Sequence, residues 1–356
     1  VSGHPKRATI SDVAEHAGVS RAAVSKVLRG AYGVSDVMRA RVEASMDALG
    51  YRPSALARGM RGRSFTLGVF VVDLSNTFVT VLIEGIRAEA GSRGYQVFIG
   101  EANMGLTQQK QMIEAMVDRK MDGLILIAPF GPDEELEKIG RSTPTVVLGR
   151  HGPGQGYDTV ASDDLAGSAL IVDHLVSLGH RRISHLKHVG IEKNEATMPQ
   201  VVRADGYVKA MVDHGLDDEV DVIETRWNHQ GGADAVDLML ERKTPPTAVH
   251  TGTDMAGFGV LSRFHELGVP VPEAFSVVGY DNARAASLPQ IALTTVDQSG
   301  FDMGTIATRL LVERIEGRAE PVSTLVTPTL VVRKTTGPTP VVGGQGPGLL
   351  HEVSQG

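Results

Sequence analysis

The chain has 356 residues, 42% of them hydrophobic and 22% charged, with a formal net charge of −7. That length suits two or three domains, and the composition excludes wholesale disorder. Cysteine is absent, which excludes disulfides, thiolate metal sites and thiol catalysis, and no apolar run approaches the length of a membrane span.

The charge is unevenly placed. Residues 1–63 carry 11 basic and 5 acidic side chains, a head of +6, while the rest carries 24 and 37, a body of −13. A basic head on an acidic body is the pattern of a polyanion-binding module joined to something else. No apolar run follows Lys6 and Arg7, so no secretory signal is expected, and the chain reads as a cytoplasmic protein.

The head reads as short helices. Thr9 followed by Asp12 is a helix-start signal, and Ile10, Val13, Ala14 and Ala17 then recur at helical spacing until Gly18. Ser20 suits the cap of a second helix over 21–28, with Val24, Val27 and Leu28 apolar. Two helices joined by a short turn containing Gly form the helix-turn-helix pattern. Ser35 is placed to cap a third helix with Met38, Val42, Met46 and Leu49 on one side, ended by Gly50. Residues 1–52 therefore read as a three-helix head. Residues 53–63 begin with Pro53 and are interrupted by Gly59 and Gly62. This predicts a short basic helix or linker, marginal in water, that folds only against a partner.

From Phe65 onward apolar strands alternate with helices. Strands are expected at 67–72, 97–99, 124–128 and 146–148, then again at 159–161, 183–186, 220–223, 248–251 and 276–279. Helices are expected near 78–93, 108–119, 165–178, 203–214, 233–241, 255–267 and 303–316. The pattern predicts an α/β fold of parallel sheets flanked by helices. Two runs of it predict two lobes, whose facing strand ends form a ligand cleft. Residues 337–356 are rich in Gly and Pro and predict a disordered tail.

Four separated stretches now carry a resemblance. Ala8-Thr9-Ile10-Ser11-Asp12-Val13-Ala14-Glu15-His16-Ala17-Gly18-Val19-Ser20, followed by Val24-Ser25-Lys26-Val27-Leu28, resembles the DNA-binding head of the lac/galactose repressor (LacI-type) family of bacterial transcriptional regulators. Val277-Val278-Gly279-Tyr280-Asp281, Leu293-Thr294-Thr295-Val296-Asp297-Gln298 and Val332-Arg333-Lys334-Thr335-Thr336 resemble that family's C-terminal signatures in order and spacing. The resemblance implies a periplasmic-binding-protein-like core over 64–336 with three crossovers between lobes. Lobe one would be about 64–161 and 292–325, and lobe two about 162–291 and 326–336, so that the last helix returns to lobe one.

The second helix of a helix-turn-helix meets base edges in the major groove. The resemblance places Arg21, Ala22 and Lys26 at the specificity positions. Arg21 suits a bidentate contact to guanine, and Ala22 a thymine methyl. Thr9, Ser20, Ser25, Arg29, Tyr32 and Ser35 are expected at the DNA, mainly on phosphates, which position without specifying. The resemblance makes residues 53–63 a hinge helix, with Ala57, Met60 and Arg61 expected at the minor groove and Met60 as the wedge where the family usually has Leu.

For the cleft the resemblance implies Asn76, Phe78, Arg203, Trp227, Thr253, Asp281 and Gln298. Arg203 would bind ligand oxygens, Asp281 would accept from hydroxyls, and Trp227 would cover an apolar face. The set suits a sugar, with a nucleoside or other metabolite as the alternative. Asn76-Thr77-Phe78-Val79 lacks the second aromatic wall common in the family. Segment 190–202 departs from the family pattern where ligand selectivity would reside. Phe258 is the expected dimer contact.

The chain therefore reads as a repressor, a homodimer on a near-palindromic duplex operator, with an allosteric effector and no cofactor, metal or membrane partner. The low-complexity tail lacks the leucine heptads of a tetramerising helix, so a dimer is expected. An enzyme is disfavoured: no nucleophile elbow, phosphate loop or His-Glu-x-x-His is present. His180, His185 and His188 lack a carboxylate at ligand spacing and read as solvated or hydrogen-bonded histidines. A solute-binding module with another output would share the two lobes but has no use for the basic head.

Overall fold

In the computed structural model the described residues are 8–28, 31–51, 63–102, 105–189 and 196–340. The chain divides into two compact units, residues 1–66 with 120–122, and the remainder.

The head contains α1 (Ile10–His16), α2 (Arg21–Leu28) and α3 (Asp36–Ala48). A capping box opens α1: the Asp12 carboxylate accepts from the Thr9 backbone N–H at 2.7 Å while the Thr9 hydroxyl accepts from the Asp12 N–H. Ser20 Oγ accepts from Ala23 N at 3.1 Å and Ser35 Oγ from Met38 N at 3.3 Å, so each helix start has its partner. Val13, Ala14, Ala17, Val24, Val27 and Val42 form one small core. Gly18, between α1 and α2, has φ +61°, a conformation that a side chain disfavours.

The core unit holds two six-stranded sheets. In the first, strand order is β11-β5-β4-β3-β1-β2, from β1 (Thr66–Val71), β2 (Gln96–Glu101), β3 (Gly123–Ile127), β4 (Thr145–Leu148), β5 (Asp158–Ser162) and β11 (Ser323–Val326). In the second it is β12-β10-β9-β8-β6-β7, from β6 (Ile183–Val189), β7 (Asp221–Arg226), β8 (Ala248–His250), β9 (Ser276–Tyr280), β10 (Thr294–Asp297) and β12 (Thr329–Val331). The central strands are buried along their whole length, which is why they read as continuous apolar runs.

Helices cover both sheets. The first lobe carries α4 (Thr77–Ser92), α5 (Leu106–Asp118), α6 (Asp133–Ser142) and the late α11 (Gly300–Ile315). Helices α4 and α11 cross closely: a Cβ on Gly85 would strike the Phe301 carbonyl, and one on Gly304 the Leu82 carbonyl. The second lobe carries α7 (Asp164–Ser177), α8 (Pro199–Asp213), α9 (His229–Leu240) and α10 (Asp254–Glu266). The apolar cores of the lobes are separate clusters.

The structure corrects several boundaries. Ser162 ends β5 in the first sheet, Val326 ends β11 there, and Thr294–Asp297 pairs with β9 in the second. The chain thus crosses near 163, 298–299 and 327–328, which puts Thr294–Asp297 in the second lobe rather than the first. The second sheet is not wholly parallel, because β12 runs antiparallel to β10 along its edge. Residues 337–340 are not a loose tail. Gly337 N donates to Ser276 Oγ at 3.1 Å, and Thr339 N donates to the Leu178 carbonyl at 2.9 Å. The rest of the expected tail, 341–356, lies outside the described residues.

Candidate DNA interface and ligand cleft

On α2 the buried residues are Val24 and Val27, which leaves Arg21, Ala22 and Lys26 exposed on the opposite face, with Ser25 half-buried at its edge. Three residues of one helix face thus stand clear of the head's core. Tyr32 is fully exposed and Ser35 is exposed at the start of α3. Thr9 and Ser20 spend their side-chain oxygens on helix starts. Arg29, Ala57, Met60 and Arg61 lie outside the described residues.

Between the lobes lies a cavity of about 570 Å³. From the first lobe Asp73, Ser75, Asn76, Val79 and Phe130 line it, and from the second Val189, Met198, Arg226, Trp227 and Asn228. The size and the mix of two aromatic rings with a few polar groups suit a small organic ligand. Trp227, the only tryptophan of the chain, follows β7 and packs against His188 with ring centroids 5.1 Å apart. Asn76 Oδ1 accepts from Phe78 N at 3.0 Å, which caps α4 at the cleft floor.

The other expected cleft residues gather elsewhere. Arg203 on α8 is almost wholly buried. Its Nε donates to Asp164 Oδ1 at 2.9 Å, Nη1 to the Gly252 carbonyl at 2.8 Å and Nη2 to Gln298 Oε1 at 3.2 Å. Gln298 Nε2 in turn donates to Asp281 Oδ1 at 2.6 Å. The guanidinium carbon sits 3.9 Å from the centroid of the Tyr280 ring, at cation–π range. Burial pushes the Asp164 carboxyl up, but Arg203 and His151 outweigh it and hold the group below the usual carboxylate range. Burial pushes Asp281 well above that range, with Arg203 offsetting only part.

Thr253 caps α10, its Oγ1 accepting from Ala256 N at 3.2 Å and lying 3.3 Å from His188 Nε2. Phe78 faces the core of the first lobe, its ring against Gly300, and so does not line the cleft. Phe258 is half-buried against the second-lobe core. His180 lies 2.8 Å from Thr247 Oγ1 and 3.0 Å from the Gly337 carbonyl, and His185 stacks on Tyr207. Among the described residues no group of His, Cys, Asp or Glu is arranged to hold a metal ion, and no helix is long and apolar enough to cross a membrane.

Sequence reasoning missed Asp164, His151 and Phe130. Phe130 supplies a second aromatic ring to the cleft where Val79 replaces the one expected at α4. It sits in a loop, where no periodicity marks a side chain's direction. Asp164 stands at a helix start, where an acid is unremarkable, and its contact to Arg203 spans 39 residues.

Comparison with known proteins agrees with this architecture. Residues 9–54 match the family described as bacterial regulatory proteins, lacI family, and residues 172–336 match a periplasmic binding protein-like domain. Catabolite control protein A of Priestia megaterium is 30% identical over 306 residues, which cover 85% of this chain and 91% of that protein. Among solved structures, the lac repressor dimer bound to operator and the anti-inducer ONPF is similar at a TM-score of 0.80 and 27% identity, covering 93% of this chain and 100% of that one. The complex of the transcriptional regulator CelR with cellobiose is similar at a TM-score of 0.68 and 27% identity, covering 92% of this chain and 100% of that one. This chain belongs to the lacI family of bacterial regulatory proteins.

Proposed function

We propose that this chain is a transcriptional repressor that binds a near-palindromic operator as a homodimer and is controlled by a sugar held between its lobes. The observation that carries the reading is the exposed face of Arg21, Ala22 and Lys26, edged by half-buried Ser25, on a helix fixed at its start by Ser20. Such a face fits the major groove, and two-fold protein symmetry calls for two half-sites. Thr9, Ser20, Arg29, Tyr32 and Ser35 contact phosphates, and Ala57, Met60 and Arg61 the minor groove. The protein acts in the cytoplasm, at the nucleoid when DNA-bound, and has no catalytic role.

In the cleft, Asn76, Trp227 and Phe130 meet the effector directly, with Asp73, Arg226 and Asn228 at hydrogen-bonding reach of the same cavity. Arg203, Asp281, Gln298 and Thr253, buried outside that lining, engage the ligand as the lobes move. Phe258 on α10 and the exposed Phe98 and Ile99 on edge strand β2 supply the dimer contacts. Effector binding shifts the lobe equilibrium, and operator affinity changes by the effector's preference between the two states.

The test is operator selection from random duplexes, followed by titration at several salt concentrations with panels of sugars and nucleosides. Affinity should fall linearly with salt on logarithmic axes and respond to one sugar class. Binding indifferent to salt and sequence would overturn the reading.

A further inference from the structure

Arg150 follows β4 in the first lobe and is 2% exposed, yet it does not line the cleft. All five of its N–H donors have acceptors. Nη1 donates to the carbonyls of Pro129 at 3.3 Å and Gly131 at 2.7 Å, the two residues that flank Phe130. Nη2 donates to Asp133 Oδ1 at 2.8 Å. Nε and Nη2 both reach Thr197 Oγ1, at 3.2 and 2.9 Å. Thr197 belongs to the second lobe, directly before Met198, which lines the cleft and precedes α8. The neighbouring His151 N donates to the Thr197 carbonyl at 2.8 Å, so both oxygens of Thr197 are held from the first lobe.

We infer that Arg150 is a positioning residue of the cleft. It fixes the aromatic wall at Phe130 and, through Thr197, clasps the second lobe to the first, so effector affinity is set one layer behind the surface the effector touches. The link to affinity rests on the reading of the cleft as the effector site; the clasp itself does not. Only a planar five-donor fork can serve carbonyls, a carboxylate and a hydroxyl at once, and lysine, with three donors at one point, cannot.

Trp227 is the chain's only tryptophan and a native reporter of cleft access. The experiment compares full-length wild type with Thr197→Val, Thr197→Ser and Arg150→Lys by acrylamide quenching of its fluorescence, with no effector present. Thr197→Val keeps the side chain's shape and removes the hydroxyl. Losing a buried hydrogen bond to a charged group should shift the ratio of open to closed lobes about tenfold toward open. Quenching should therefore rise in Thr197→Val and Arg150→Lys, and stay at the wild-type level in Thr197→Ser. Equal quenching in Thr197→Val and Thr197→Ser overturns the clasp, even if Arg150→Lys folds poorly. A wild type whose fluorescence and operator binding respond to no sugar or nucleoside, while Thr197→Val still shows raised quenching, overturns the effector reading and leaves the clasp standing.

Discussion

Nε of Arg203 donates to Oδ1 of Asp164 at 2.9 Å, and the two side chains are only 5% and 3% exposed. The other oxygen of Asp164 lies 2.7 Å from Nε2 of His151, which reaches it from the first lobe. One carboxylate at the first crossover thus joins a first-lobe imidazole to a second-lobe guanidinium. Any movement of the lobes must either carry or break this chain.

Asp164→Ala leaves the Arg203 charge buried without its strongest partner and should cost about 3–5 kcal/mol. Asp164→Asn keeps an acceptor for Nε and should cost clearly less. Urea unfolding of the two variants gives the comparison, and equal losses would show that the ion pair contributes nothing of its own.

Stability should fall on acidification from about pH 6.5 toward 4. Burial depresses His185 to about 3, His188 to about 4 and His250 well below the ordinary value. The unfolded chain therefore binds protons in this window that the folded chain refuses, so these groups stabilise more as pH rises. Asp254, pushed up by burial to about 7, and Asp281, pushed well up, act in the opposite sense as pH rises from their ordinary value of 3.8. His174 and His180 are lowered by burial as well, so five depressed imidazoles outnumber the two raised carboxyls, and protons are taken up on unfolding in this window. Denaturation at a series of pH values reads the slope directly, and His185→Phe should flatten it.

Trp227→Leu should weaken effector binding about tenfold by removing the stacking face, while operator affinity without effector stays unchanged. Calorimetric titration of the effector and gel shifts of the operator separate the two. A fall in both would place Trp227 in the fold rather than the site.

At the DNA, Arg21→Ala should cost about 1–3 kcal/mol and relax preference at one base pair of each half-site. Ser20→Ala should instead weaken all sequences alike, because it removes the α2 cap as well as the proposed phosphate contact, at about 1 kcal/mol. Selection from randomised operators reads base preference and affinity together. Unaltered preference in Arg21→Ala would remove it from base readout.

Phe98 and Ile99 are 52% and 44% exposed on β2, at the edge of the first sheet. Phe98→Glu puts a charge into the proposed interface and should raise the dimer dissociation constant about thirtyfold or more. Sedimentation at a range of protein concentrations measures it.

Much of this fold is legible in the residues themselves. The head's caps at Thr9, Ser20 and Ser35 are local signals that act within three residues, and all three hold in the structure. The buried strands announce themselves as apolar runs because both of their faces are covered. Strands β11 and β12 do not, since they lie at sheet edges, run three or four residues and are nowhere fully buried. Helix α6 buries only Leu136 and Gly140, too little for a periodic signal. In the cleft, Trp227 and Asn76 are recoverable from motif position, whereas Phe130 and the Arg150–Thr197 contact depend on a meeting of lobes that no local pattern encodes.

Linkage between cleft and operator is the claim on which the rest depends. Operator affinity should be measured with and without saturating effector, and effector affinity with and without operator, on the same full-length protein. The account predicts the same factor in both directions, since the coupling free energy is shared. An effector that binds beside Trp227 yet leaves operator affinity unchanged would contradict it.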